Sequence, residues 1–300
     1  MYTIELNNVR KTYDQFVAVD NLSFNIEKGA VFGLLGPNGA GKTSTIRMMI
    51  GITAPDTGEI RMFGEPFHRK HLNNVGYLPE ERGLYKKMKI LDHLVFLAEL
   101  HGMAAASARQ KAVEWCQRLE ISDKLQNKVE ELSKGMQQKI QFIASLLHDP
   151  DFVIMDEPFY GLDPVNSALL KNVLLDLKKQ GKTILFSTHR MDQVEQLCDS
   201  ICLIDHGKPV LQGNLKQIKS RYGKGNIQIG YDGDSTFLEH NKLVQSFNNY
   251  GSYVEVRLAI GADSQQLLQL VAERSRISRF ELMEPSLEEI FIEVVGKANA

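Results

Sequence analysis

Apolar and polar residues alternate in "TIEL" (residues 3–6) and "LSFNI" (22–26), as strands with one buried face require. "EKGA" turns the chain, and "VFGLL" (31–35) is a short, wholly apolar run suited to a buried strand, so residues 2–35 read as strands. The period then changes. "KTSTIRMMIG" (42–51) carries its apolar residues at helical spacing and stops at Gly51. From Leu84 to His148 the pattern stays helical: Leu91, Leu94, Val95 and Ala98 share one face, and Ala112, Val113, Cys116 and Leu119 another. "DFVIMDEP" (151–158) and "GKTILFSTH" (181–189) return as buried strands, separated by the helix-like "PVNSALLKNVLLDLKKQ". "SICLIDHGKPVLQG" (200–213) reads as a hairpin.

Past Tyr222 the pattern starts afresh. "GKGN" makes a linker, and "NIQIGY", "YVEVRLAI" and "RISRFELM" read as strands. Helices are expected at Ser264–Arg274 and Ser286–Val295, the second opened by a capping box of Ser286 and Glu289. This tail, about a quarter of the chain, has the pattern of a small separate α/β domain. No internal repeat is visible.

Composition narrows the setting. The 300 residues are 43% hydrophobic and 24% charged, with a formal net charge of −2, enough for one large domain or two smaller ones. So even a balance gives no support for a nucleic-acid footprint. The start, "MYTIELNNVRKTY", has no apolar signal-peptide core, and no run reaches transmembrane length. Cys116, Cys198 and Cys202 form no CxxC pair, so reduced thiols are expected rather than a metal site. The expectation is a soluble intracellular protein.

The chemistry lies in three stretches. In "GPNGAGKT", Gly36, Gly39, Gly41, Lys42 and Thr43 satisfy the P-loop pattern between an expected strand and an expected helix. Glycine backbone can turn its N–H groups inward around a phosphate, Lys42 can reach the β- and γ-phosphates, and the Thr43 hydroxyl can ligate Mg²⁺. Strands and helices alternating around such a loop imply a parallel α/β core. "FVIMDEP" ends an apolar strand in Asp156 and Glu157, a costly place for unpaired charge. Mg²⁺ beside Asp156 would supply a partner, leaving Glu157 to orient or deprotonate a water aimed at the γ-phosphate. In "ELSKGMQQKIQ", Ser133, the Gly135 backbone and a helix N-terminus can form a second anion site, although Ser133 alone also reads as an ordinary N-cap.

Together these stretches resemble the ATP-binding subunits of ABC transporters over residues 2–220. "GPNGAGKT" is similar to Walker A, which implies nucleotide contacts by Gly36, Pro37, Asn38, Gly39, Ala40, Gly41, Lys42, Thr43 and Ser44. "VIMDEP" is similar to Walker B, with Glu157 as the catalytic glutamate and Asp156 toward the metal. "LSKGM" resembles the signature LSGGQ, with Lys134 and Met136 as departures and Ser133 and Gly135 as the nucleotide contacts. "GLDP" resembles the D-loop with Asp163, and "FSTH" places His189 at the catalytic switch position. Tyr13 stands where the family stacks an aromatic on adenine, and equally reads as a strand-end tyrosine. "GYLPEERGLY" occupies the Q-loop, with Glu80 where most members have glutamine; Glu80 is then a metal-side residue, or else a solvent-facing one.

The resemblance extends to one branch. "YLPEERGLY", "ELSKGMQQK" and "EPSLEEIFIEVV" look like ATPases of ABC-2-type exporters, including sodium-efflux and drug-efflux systems, which carry a similar small C-terminal domain. It implies an α/β fold of the P-loop ABC type, with a parallel-sheet core, an antiparallel β subdomain and a helical subdomain. The cassette would span residues 1–222, its helical subdomain about residues 84–148, and the accessory α/β domain residues 223–300. ATP and Mg²⁺ are the implied cofactors. Implied partners are membrane subunits on separate chains and a second ATP-binding subunit, a homodimer closing head to tail, with no nucleic acid. The implied location is cytoplasmic, peripheral at the inner face of the cell membrane. A soluble ABC ATPase acting on nucleic acid or ribosomes is the rival. Translation-type members usually carry two cassettes per chain and chromosome-type members a long coiled coil, and neither feature is present. Glu157 and His189 argue against a regulatory module without turnover.

Overall fold

Where apolar side chains alternate the chain builds antiparallel strands, and where they run together it builds a parallel sheet buried on both faces. The computed structural model describes residues 1–81, 83–222, 225–233, 235–259 and 261–298. Arg82 of "YLPEERGLY", Gly223 and Lys224 of the expected linker, and Ile260 at the end of "YVEVRLAI" lie outside them.

Contacts divide the chain into Met1–Asn214 and Leu215–Ala300. The first unit begins β1 (Tyr2–Tyr13), β2 (Phe16–Glu27), β3 (Val31–Leu35), α1 (Lys42–Met49), β4 (Thr57–Met62), β5 (Glu65–Pro66) and β6 (Val75–Leu78). Three helices follow, α2 (Ile90–Leu100), α3 (Ala105–Arg118) and α4 (Lys134–Leu146). The chain returns through β7 (Phe152–Asp156), α5 (Pro164–Lys179), β8 (Thr183–Thr188), α6 (Met191–Leu197), β9 (Ser200–Asp205) and β10 (Lys208–Asn214).

Two sheets result. An antiparallel one has the order β2-β1-β4-β5; the other, β10-β9-β3-β8-β7-β6, is parallel from β9 to β6 with β10 antiparallel on its edge. Every residue of β3, β7 and β8 is buried, as the apolar runs Val31–Leu35, Phe152–Met155 and Ile184–Phe186 within them require. One core joins the two sheets: Ile4, Leu6, Leu22 and Ile26 pack with Phe32, Leu34, Met49 and Ile154. Helices α2, α3 and α4 pack on one another, and Leu94, Ala98, Ala112, Cys116 and Ile140 on them are buried.

The second unit runs α7 (Leu215–Tyr222), β11 (Asn226–Asp232), β12 (Val244–Asn249), β13 (Tyr253–Leu258), α8 (Ser264–Arg274), β14 (Arg276–Met283) and α9 (Leu287–Ala298). Its antiparallel sheet, β12-β13-β11-β14, turns Ile227, Ile229, Val254 and Val256 toward Leu267 and Val271 of α8. Period-2 burial on β11 and β13 and period-4 burial on α8 make this a core of its own. The sequence reading puts α7 in the first domain; by contacts it falls in the second and packs with α9.

All three cysteines are free. Burial pushes the Cys116 and Cys202 thiols up to about 12, and Cys198 well above the ordinary thiol range. Among the described residues, no helix is long and apolar enough to cross a membrane.

Candidate active site

Neighbouring β3, β8, β7 and β6 are parallel, so the loops leaving their C-terminal ends converge at one edge of the sheet. β3 leads into the glycine loop. A Cβ on Gly36 would lie 2.2 Å from the Ile204 carbonyl oxygen, and one on Gly41 2.3 Å from that of Ala18. Both have positive φ, 152° and 105°, so the loop is threaded where only glycine fits. Pro37, Asn38 and Gly39 form its exposed tip, and Ala40 is buried beneath it. The loop ends at Gly41, the N-cap of α1, where no side chain caps the helix and no acidic residue occupies the first turn. Such a helix start presents free N–H donors, here at Lys42, Thr43 and Ser44, and the positive end of the helix dipole.

Lys42 lies buried across this loop. Its Nζ donates to the carbonyls of Gly36 (2.7 Å) and Pro37 (3.0 Å). Burial lowers its pKa, and the negative charges of Glu157, Asp156 and Glu80 oppose that shift. A buried ammonium surrounded by carbonyl oxygens, N–H groups and nearby carboxylates suits a polyphosphate with its counter-ion.

Asp156 ends β7 and is buried. One of its oxygens accepts from the Thr43 hydroxyl at 3.0 Å, and the other from the Ser187 hydroxyl. Burial raises its pKa, offset in part by those two hydrogen bonds. Glu157 follows with a left-handed φ of 49°, a conformation that costs a non-glycine residue roughly 1–2 kcal/mol. That turn swings its carboxylate onto the end of β8. Oε1 accepts from the His189 backbone N–H (3.0 Å) and from His189 Nδ1 (2.7 Å), while Oε2 accepts from the Thr188 hydroxyl (3.0 Å). Nδ1 must therefore carry a proton, which leaves Nε2 of the half-exposed ring facing outward from the pair. Glu80, in the loop after β6, is an exposed residue near these groups. Partial desolvation raises its pKa first, and the charges of Asp156 and Glu157 add to the shift.

The glycine loop, Lys42, Thr43, Asp156, Glu157, His189 and Glu80 thus share one edge. Among the described residues, no hydrogen bond joins Ser133 or Gly135 to that group. Ser133 Oγ accepts from the Met136 N–H at 3.3 Å, the N-cap of α4. Asp163 caps α5 by accepting from the Asn166 N–H at 2.9 Å. Tyr13, at the β1–β2 hairpin, is 37% exposed, with the Lys11 ammonium 5.7 Å from its ring centre. Ser187 and Thr188 are functional neighbours that the sequence reading missed. Their signal was two hydroxyls closing the apolar strand "TILFST" directly before His189.

Among the described residues, no cluster of three or more His, Cys, Asp or Glu side chains could hold a metal ion. The hydrogen-bonded Thr43 hydroxyl and Asp156 carboxylate do fit Mg²⁺, which takes one or two carboxylates and completes its shell with phosphate and water oxygens.

Comparison with known proteins is decisive at this point. Residues 19–160 match the family model of ABC transporters, and residues 213–295 that of the DrrA1-3-like ATP-binding protein C-terminal domain. An uncharacterised ABC transporter ATP-binding protein of Bacillus subtilis (strain 168) is 47% identical over 293 residues, which cover 98% of each chain. The chain belongs to the ATP-binding subunits of ABC transporters. As such it binds ATP and is an ATPase. Among ABC relatives, the Nod factor export ATP-binding protein I of Paraburkholderia xenovorans (strain LB400) is 36% identical over 299 residues, 98% of this chain and 97% of that one. A solved ATP-binding subunit of an ABC transporter superposes with a TM-score of 0.68 at 29% identity, covering 74% of this chain and 93% of the other. The tail match and the export relative fit the ABC-2 exporter branch named from the motifs. The fold class expected from the resemblance is the one observed for an ABC cassette.

Proposed function

We propose that this ABC ATPase powers export through membrane subunits carried on separate chains. The support for export is the DrrA-like tail and the relative named for Nod factor export. The observation that carries the ATPase mechanism is the Glu157 carboxylate, fixed beside the P-loop by Thr188 and His189.

The glycine loop, Ser44 and the start of α1 would seat the phosphates, with Lys42 leaving its two carbonyls for phosphate oxygens. Glu157 Oε1 already accepts two hydrogen bonds and Oε2 one, so Oε2 keeps a lone pair for water. On that reading Oε2 takes the water proton as the water oxygen attacks the γ-phosphorus and ADP leaves. His189 meanwhile holds the carboxylate in place through its Nδ1–H, and only as the imidazolium would it also donate Nε2–H to a γ-phosphate oxygen. Thr43, Asp156 and Glu80 would hold Mg²⁺, which neutralises charge on the phosphate oxygens.

Tyr13 would stack on adenine, and Asp163 would lie at the dimer seam. Two subunits would pair head to tail, most simply two copies of this chain, so that Ser133 and Gly135 contact the ATP of the partner. The phosphate end of each ATP then has a second anion-binding surface. ATP drives closure only by binding the closed pair more tightly than the open one. Closure would be passed to the membrane subunits, with the ATPase peripheral at the inner face of the membrane.

Glu157→Gln is the test. The variant is expected to bind ATP normally, to hydrolyse it at least about a hundredfold more slowly, and to collect as ATP-bound dimers on gel filtration. Near-normal ATPase activity would remove Glu157 from this role.

A further inference from the structure

Helix α4 does more than carry Ser133 and Gly135 at its start. Gln138 and Gln141 are three residues apart, so they share a face of the helix, and both are buried. The Gln138 Nε2 donates to the carbonyl of Pro158 at 3.1 Å, and Pro158 directly follows Glu157. The Gln141 Nε2 donates to the carbonyls of Pro79 (2.9 Å) and Glu81 (3.2 Å), the residues on either side of Glu80. One helix face therefore holds the backbone beside both acidic residues at the γ-phosphate end.

The chemistry of these contacts points to placement rather than to packing. All three acceptors are carbonyl oxygens, so only the amide nitrogens can make the bonds, and the amide orientations follow. Gln141 Oε1 is then buried with no hydrogen-bond partner among the described residues. A side chain serving only to fill the core would be better apolar, because a buried orphan acceptor is unfavourable. Glu157 also needs outside support, since its left-handed backbone is not one that glutamate adopts freely. β8 holds it on one side, through the Ser187 carbonyl that accepts the Glu157 N–H at 3.0 Å. Gln138 holds the next residue from the other side.

We propose that Gln138 and Gln141 are positioning residues of the ATPase, locking the backbone that flanks Glu157 and Glu80 to the helix that bears Ser133 and Gly135. In a head-to-tail pair, the start of α4 meets the partner's nucleotide, while Glu80 and Glu157 serve the nucleotide of their own subunit. Each α4 is then a lever between the two ATP sites, and engagement at one site sets the acidic groups of the other. This inference rests on the roles given above to Glu80, Glu157 and Ser133.

The test uses the full chain carrying Gln138→Met, Gln141→Met or Gln141→Glu, with Glu157→Gln in parallel. ATPase rate against ATP concentration, ATP affinity and melting temperature are measured for each. Both Met variants and Gln141→Glu are expected to lose about tenfold or more in kcat, the scale of small misplacements at a reacting centre, with ATP affinity little changed. Any cooperativity in ATP should fall toward a Hill coefficient of 1, as it must when the coupling between sites is lost. Gln141→Met removes the orphan acceptor but also two donated hydrogen bonds, opposing effects that should leave its melting temperature near that of the parent. Unchanged kcat in the Met variants would overturn the proposal, as would a kcat loss found only in variants whose melting temperature falls with it. Full activity in Gln141→Glu would show that the donors are dispensable and would overturn it too. An active Glu157→Gln variant would overturn the underlying reading of the site; an inactive one beside normal Met variants would overturn this inference alone.

Discussion

Glu80 shows how one atom's chemistry divides the energetics of a phosphate site. An amide at this position would bring an oxygen without charge, whereas the carboxylate brings an oxygen and a negative charge near Asp156 and Glu157. Partial desolvation and those neighbours hold the Glu80 pKa above its usual range, with Lys42 pulling the other way. Asp156 is raised as well, chiefly by burial. A divalent cation would relieve both groups at once, so the carboxylate should tighten metal binding and raise repulsion without the metal. Glu80→Gln is therefore expected to keep ATP binding but to need roughly tenfold more Mg²⁺ for half-maximal hydrolysis, the scale of losing a supporting metal-site group. Glu80→Ala should impair coupled transport more. A Mg²⁺ titration of ATPase activity checks this, and unchanged metal dependence in both variants would make Glu80 a bystander.

The elements differ in how openly the sequence announced them. β3, β7 and β8 were legible because strands buried on both faces are built around continuous apolar runs, here Val31–Leu35, Phe152–Met155 and Ile184–Phe186. α9 was legible from its cap: the Ser286 N–H donates to Glu289 at 2.8 Å, and Ser286 Oγ accepts from the Glu289 N–H at 3.2 Å. β4 and β12 are mostly exposed or half-buried and show no such run, while β5 and β6 are only two and four residues long, so the reading passed over them. The P-loop and the Asp156–Glu157 pair could be read because their spacing is chemical. Gln138 and Gln141 could not, since amides on an amphipathic helix look like ordinary polar positions until their carbonyl partners are seen. α2 hides a further group of this kind. His93 is fully buried, neither ring nitrogen has a partner among the described residues, and the Tyr85 ring meets it edge-on at 5.7 Å. Burial lowers its pKa to about 4, and His148, stacked on His101 at 3.8 Å, is lowered to about 4 by burial and then by the charge of His101. The unfolded chain binds these protons more readily, near pH 6.5, so the stability gained is present above that value and lost as pH falls toward 4. For His93 the loss is roughly 3 kcal/mol. Urea unfolding at stepped pH should show a shallower acid slope for His93→Phe than for the parent; equal slopes would mean that His93 titrates as it does when unfolded.

At the scale of the whole molecule, the residues assigned to ATP lie within Met1–Asn214, while Leu215–Ala300 has its own sheet and core. The sequence made the change of pattern visible but placed it too late. Gly213, two residues before "LKQIKSRY", reads as the end of a hairpin rather than as a boundary, and only the buried Leu215 and Ile218 and the packing with α9 assign this helix. A chain ending at Asn214 is expected to fold and to bind ATP with about the affinity of the full chain, with altered dimerisation or coupling. Circular dichroism and nucleotide titration of that chain would decide, and loss of ATP binding would refute the division.

The three cysteines carry a consequence for how motion in this molecule can be observed. Cys116 and Cys202 are buried and Cys198 is partly so, and burial raises the pKa of all three thiols, so the folded chain offers alkylating reagents little thiolate. Native cysteines should then react more slowly than an exposed one. A fluorophore or spin label attached to one introduced surface cysteine reports chiefly from that position, so distances can be followed through a catalytic cycle without first removing any natural residue.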